Sequence, residues 1–425
     1  MKPRPLTYEL HRHTLANGLR VVVNPDPWTP VVAVNLWYDV GSAHEVAGRT
    51  GFAHLFEHLM FSGSAHVRAG EHLAALQALG GEVNATTSFD RTNYFETVPA
   101  GVAELALWYE ADRLGSLLDA IDQATLDTER EVVKEEKRQR YDNVPYGDAF
   151  QFLVGLVFGP DHPYGHLPIG SMADLDAASV ADVHDFFQTY YRPANAVLTL
   201  AGAVTADEGR ALAETYFGGL PATPAPPRPD VAPLPPLAGL PRQTVTRAVP
   251  QHAVYCAWRV PPVGGTVAEA LGLALSVLGD GLTARLYEAL VRPGLADSVG
   301  TTDLELARGN SVAVAYATAR DGVTPAALEE ALVTAWQGFL DEGPAEAELQ
   351  RAVARATRDW LSALAGLDTR ADAFSEATLN FDDPGRVNTW LAELAEIDAA
   401  AVQAAARDWL DPAQRATLVF EKEAQ

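Results

Sequence analysis

The chain holds a single cysteine among its 425 residues. No intrachain disulfide can form, and a thiolate cluster cannot hold a metal. Cys256 lies in the apolar run Ala253-Val254-Tyr255-Cys256-Ala257-Trp258, where a thiol serves as a small buried hydrophobe. Positive charge is also scarce. Lys and Arg number 31 against 56 Asp and Glu, for a net charge of −25. Nucleic acid and anionic membranes both require basic patches, so neither is expected as a partner. Long apolar runs are missing too. No stretch approaches the ~18 uninterrupted apolar residues of a membrane span. None of signal-peptide length follows the opening Met1-Lys2-Pro3-Arg4-Pro5-Leu6-Thr7-Tyr8. These absences make a cytoplasmic protein the expectation. What remains is 48% hydrophobic and 20% charged, the balance of a globular chain with real cores. The length suggests two or three domains.

Proline marks the clearest break. Pro221, Pro224, Pro226, Pro227, Pro229, Pro233, Pro235, Pro236 and Pro241 crowd one short stretch. Proline at that density removes backbone donors and favours extended structure. The expected division is therefore an N-terminal domain over 1–220, a semi-rigid linker over 221–241, and a C-terminal domain over 242–425. The two halves resemble each other. Each opens with strands: Leu19 to Val23 and Val31 to Tyr38 in the first, Gln243 to Val249 and Ala253 to Val260 in the second. Each closes on a helix, an aromatic residue, a proline turn and an apolar strand, at Tyr191-Arg192-Pro193 and at Trp409-Leu410-Asp411-Pro412. Strands first and helices over them is an α+β pattern. The fold expected is two homologous domains, each a mostly antiparallel sheet covered by helices.

The chemistry concentrates at His54-Leu55-Phe56-Glu57-His58. A helix over Gly51 to Phe61 puts His54 and His58 on one face, with Glu57 beside them. Two imidazoles can then reach one ion next to a carboxylate. Neutral imidazole suits zinc, and catalytic zinc sites use three protein ligands and a water. Glu57 is the base that such a water needs. H-x-x-E-H is the inverted form of the H-E-x-x-H zinc-peptidase motif. Two histidines on a helix surface would be the plain alternative, but Leu55, Phe56, Leu59 and Met60 make this helix mostly apolar.

A third ligand must come from elsewhere. The stretch Asp127 to Arg140 is a strong helix by propensity. Glu129, Val133, Glu136 and Arg140 share one stripe of it. By charge count alone these carboxylates would read as a solvated face with i,i+4 pairs. Glu135 points about 100° away from Glu136.

Together these residues resemble the pitrilysin/insulinase family of zinc peptidases, in its bacterial branch related to mitochondrial processing peptidase. The likeness runs from Leu15-Ala16-Asn17-Gly18-Leu19 through Gly51 to Phe61, the glutamate helix and Tyr191-Arg192-Pro193-Ala194-Asn195. It continues into Leu278-Gly279-Asp280-Gly281 and Ala284-Arg285-Leu286-Tyr287. The resemblance implies a zinc metalloendopeptidase in which His54 and His58 bind zinc and Glu57 is the catalytic base. It makes Glu136, the close of the family's E-R-x-V-V-x-x-E pattern, the third ligand. Glu129 becomes a carboxylate supporting the ligands from behind, and Glu135 is the runner-up ligand. It also implies that the strand after Gly80-Gly81 binds an extended peptide along its edge, with Asn84, Ala85 and Thr86 near the scissile bond.

One departure stands out. The family carries an arginine and a tyrosine, seven residues apart, that bind substrate and the developing oxyanion. Here Leu290 and Asp297 hold those positions, and Arg285 matches a different, structural one. The resemblance thus implies a peptide substrate and a homologous partner subunit without zinc that supplies the missing pair. A homodimer is less expected. The competing function is a non-catalytic core subunit of the same fold.

Overall fold

The computed structural model describes residues 6–423. Among these residues eleven strands form two sheets. The first contains β1 (His11–Thr14), β2 (Arg20–Pro25), β3 (Val31–Tyr38), β4 (Glu82–Thr87), β5 (Thr92–Pro99) and β6 (Ala196–Gly202), in the order β1-β2-β6-β3-β5-β4. The second contains β7 (Arg242–Arg247), β8 (Ala253–Val260), β9 (Ala296–Asp303), β10 (Ser311–Ala319) and β11 (Ala416–Lys422), in the order β7-β11-β8-β10-β9. Leaving out β1, the two orders are the same. In each sheet the first and last strands of the repeat pair in parallel, β2 with β6 and β7 with β11, and the other pairs are antiparallel. The likeness of the two halves is therefore one of topology, although few letters are shared.

β3 reads VVAVNLWY and β6 reads AVLTLAG, and both are buried almost throughout. Continuous apolar strands need cover on both faces. Helices Ala103–Ser116 and Ala206–Phe217 pack on one face of the first sheet. The other face, with Val22, Ala33, Trp37 and Val197, is covered by helix Leu367–Phe381 from the second half. Cover is exchanged in the opposite direction as well. Helix Ala149–Phe158 from the first half packs on β7, β8 and β11. On the far face of that sheet Val254, Cys256 and Trp258 meet the second half's own helices, and Trp258 stacks on Trp336 with centroids 4.4 Å apart. Each half thus completes the other's core. Cys256 is fully buried there, and burial pushes its thiol up to about 12, which leaves it unreactive.

The proline-rich stretch has no regular structure, yet it is fastened to both halves. Val231 and Leu237 are buried, Arg228 pairs with Asp39 at 2.6 Å, and the Leu234 N–H donates to Asn310. Among the described residues no helix is long and apolar enough to cross a membrane.

Candidate metal centre

The histidine helix spans Phe52–Leu59, shorter at both ends than the sequence pattern suggests. Gly51 is its N-cap, in the left-handed region at φ +91°, and Met60 closes it. Phe52, Leu55, Phe56 and Leu59 are buried at the i, i+3, i+4, i+7 spacing of a core-facing stripe. Phe56 anchors that stripe, stacked on Phe186 and Tyr191. His54, Glu57 and His58 are left for the opposite side. The glutamate helix begins earlier than its charge pattern suggests, at Gln123, because the Asp122 carboxylate accepts the Thr125 N–H at 2.8 Å. It runs to Lys137 and continues as a π-helical turn over Arg138–Asp142.

The two helices bring three ligand groups together. His54 Nε2 lies 3.5 Å and His58 Nε2 lies 3.3 Å from Glu136 Oε2, and the ligand atoms of the three residues are all within 4.8 Å of one another. Glu135 is turned away, holding Arg138 at 2.7 Å and Gln139 at 2.9 Å. Glu129 stands behind His58, 3.8 Å from Nδ1, and accepts a hydrogen bond from Ser62 Oγ at 2.9 Å. Glu57 lies beside the cluster and accepts the Thr87 hydroxyl at 2.5 Å.

The surroundings act in opposite directions on the two imidazoles. Burial, then the neighbouring His58, pushes His54 down to about 4, so its lone pair is free at neutral pH. The hydrogen bond with His58 holds Glu136 below the ordinary carboxylate range. Burial lowers His58, but the hydrogen bond and charge of Glu136, with the charges of Glu57 and Glu129, outweigh it and leave His58 raised. His54 Nδ1 is buried without a hydrogen-bond partner. Two imidazoles and one carboxylate converging on one point form a donor set that zinc accepts. Burial raises Glu57, with the Thr87 hydrogen bond opposing, toward the range useful to a general base.

Among the described residues β4 pairs with β5 alone, so its other edge is open. Its polar groups are held meanwhile by side chains. Asn84 Oδ1 accepts the Ala85 N–H at 2.9 Å, and Arg91 donates to the Thr86 carbonyl at 2.9 Å. The Thr86 hydroxyl is engaged with Asn93 and Arg91. The three expected substrate residues, Asn84, Ala85 and Thr86, all lie on this strand. Leu290 is fully buried in the second core. Asp297 is half exposed, 3.9 Å from Arg320. Arg285 is tied to Glu342 and Glu348. None of the three forms an arginine–tyrosine pair.

A second cluster of potential ligands, His72, Glu96 and Glu110, is fully buried. Arg113 already supplies the cation there, forking onto Glu110 with its guanidinium over the Tyr94 ring at 4.4 Å. Sequence spacing did not single out this cluster. It also missed Thr87, and it missed Glu45, whose carboxylate accepts the Gly51 and Ala53 N–H groups. The only signal for Glu45 was an acid just ahead of an uncapped, glycine-led helix.

The profile described as insulinase (peptidase family M16) matches residues 20–150, and the profile described as peptidase M16 inactive domain matches residues 177–356. A zinc protease, PqqE, of Helicobacter pylori is 30% identical over 384 residues, covering 88% of this chain and 84% of that protein. The chain belongs to peptidase family M16. A probable mitochondrial-processing peptidase subunit beta of Schizosaccharomyces pombe is 29% identical over 212 residues, 49% of this chain and 44% of that protein. The crystal structure of a protease from Helicobacter pylori superimposes with a TM-score of 0.91 at 27% identity, covering 97% of this chain and 99% of that one. The M16 relatives include named zinc proteases, and the family also holds domains described as inactive.

Proposed function

We propose that the chain is a zinc-dependent metalloendopeptidase acting on peptides or unfolded protein segments. The observation that carries the reading is the convergence of His54, His58 and Glu136, with Glu57 alongside. Zinc, when bound, supplies a Lewis acid that lowers the pKa of a water to about 7. The protein's own groups do the rest. Glu57, aimed by Thr87, takes the proton of the attacking water and returns it to the departing amine. Glu129 orients His58 through Nδ1. The open edge of β4 receives the substrate backbone, with the Ala85 N–H exchanging Asn84 for a peptide carbonyl.

In this reading the site is short of one component. A donor pair for the developing oxyanion is commonly worth several kcal/mol of barrier. The positions that should carry it hold a core leucine, Leu290, and a surface aspartate, Asp297. A homologous subunit without the zinc motif would supply it. The same departure is what favours the second reading, a structural core-type subunit, but such a subunit has no use for the converged ligands. The test measures bound zinc and peptide hydrolysis for wild type and Glu57→Gln, each with and without a co-expressed homologue. The expected result is equal zinc in both, hydrolysis lost in Glu57→Gln by about 10²–10⁴-fold, and wild-type activity raised by the partner. Full activity in Glu57→Gln rejects the mechanism. Activity that no partner raises rejects the heterodimer.

A further inference from the structure

The helices that bear the ligands touch each other, but a third segment, 165–178, is tied to both by specific bonds. At its start His166 Nε2 lies 2.8 Å from Glu45 Oε2. The Glu45 side chain has no exposure to solvent, and its carboxylate accepts the N–H groups of Gly51 at 2.9 Å and Ala53 at 2.7 Å. These are the donors that a helix leaves unsatisfied at its start, and Gly51 has no side chain to serve them. A carboxylate placed there also meets the positive end of the helix dipole. Further along, the backbone of Gly170 passes so close that a Cβ there would lie 2.2 Å from the Gly51 nitrogen. Asp174 Oδ2 then accepts both the N–H and the hydroxyl of Thr50, at 2.9 and 2.7 Å.

The far end of the segment is bonded to the glutamate helix. Arg130 donates through Nε to the Leu175 carbonyl at 2.7 Å and through Nη2 to the Ala178 carbonyl at 2.8 Å. Lys134 pairs with Asp176 at 3.0 Å. Both contacts leave the helix on the turns just before Glu136. Segment 165–178 therefore connects the start of the helix bearing His54 and His58 to the helix bearing Glu136.

We propose that segment 165–178 is a brace that sets the distance between the histidine pair and Glu136, with His166 and Arg130 as its positioning residues. The inference rests on the zinc site proposed above. Ligand atoms must be held within about 0.5 Å of a productive geometry, and a bond network outside the ligand set commonly governs metal affinity about 10–100-fold. His166 bonds to Glu45 and Arg130 to the Leu175 and Ala178 carbonyls, so they act through the helices they hold.

The test compares zinc affinity, by competition with a chelator, and the melting temperature of the metal-free chain for wild type, His166→Ala, His166→Gln and Arg130→Met. His58→Ala serves as the ligand control. Arg285→Met, which breaks an ion network in the second half, controls for general destabilisation. The brace predicts an affinity about tenfold weaker in His166→Ala and Arg130→Met. It predicts near-wild-type affinity in His166→Gln, which keeps a donor for Glu45, and in Arg285→Met. Unchanged affinity in the first two variants, or an equal loss in Arg285→Met, overturns the brace while leaving the zinc site standing. Wild type that binds no more zinc than His58→Ala overturns the site and the brace together.

Discussion

Replacing Glu96 with glutamine should remove a specific part of the protein's pH-dependent stability. Glu96 and Glu110 face each other with no solvent exposure, and no amide, hydroxyl or guanidinium donates to either Glu96 oxygen. The groups around them are His72 from the helix Glu71–Ala78, 3.3 Å from Glu96, and Arg113, whose fork is on Glu110. Burial pushes His72 down to about 3, so it brings no positive charge at neutral pH. One guanidinium cannot neutralise two carboxylates, so the pair keeps a proton between them. Burial raises both acids, Glu110 from the usual 4.5 to about 8, with Arg113 opposing.

The sign follows from which state holds the proton. The folded chain binds it more tightly than the unfolded chain, so the stabilisation is complete below about pH 4.5. It is lost progressively as pH rises toward 8. At about 1.4 kcal/mol for each tenfold difference in proton affinity, the loss across that window is on the order of 4–5 kcal/mol. Glu96→Gln fixes the neutral form and leaves the Arg113–Glu110 fork in place. Urea unfolding of both proteins from pH 5 to 9 checks this. The wild type should lose stability relative to the variant as pH rises, with the gap levelling off above pH 8. Parallel pH profiles for the two would refute the shared proton.

Other perturbations follow from the same contacts. Arg113→Met strands two buried carboxylates and should cost about 3–5 kcal/mol, measured as a fall in the urea midpoint. Thr87→Val removes the hydroxyl that aims Glu57; kcat should fall about 10–150-fold, in line with a charge-assisted hydrogen bond of about 1.5–3 kcal/mol, while zinc content stays unchanged. Trp336→Ala opens a void against Trp258 and should cost about 3–5 kcal/mol of stability, read from thermal or urea unfolding.

The sequence was most legible where local pattern and burial agree. β3 and β8 run between the residues expected, because strands covered on both faces are written as unbroken apolar runs. The shared face of His54 and His58 was legible because helical periodicity decides which side chains lie together. The family resemblance, in agreement with the helical stripe, chose Glu136 over Glu135, and the structure turns Glu135 toward Arg138. What escaped depends on contacts between distant parts of the chain. No spacing rule links His166 to Glu45, or sends helix Leu367–Phe381 across to the first sheet. No motif marked Glu96 and Glu110, whose burial depends on Arg113 from the same helix as Glu110. Leu290 is informative in another way. It is fully buried, so this position presents no side chain to a substrate.

The central claim is that His54, His58 and Glu136, and not Glu135, hold one zinc. Elemental analysis of zinc per chain in wild type, Glu135→Gln and Glu136→Gln tests it most directly. One equivalent in the first two, with loss from Glu136→Gln, is the predicted result. Zinc retained by Glu136→Gln, or lost from Glu135→Gln, would contradict it.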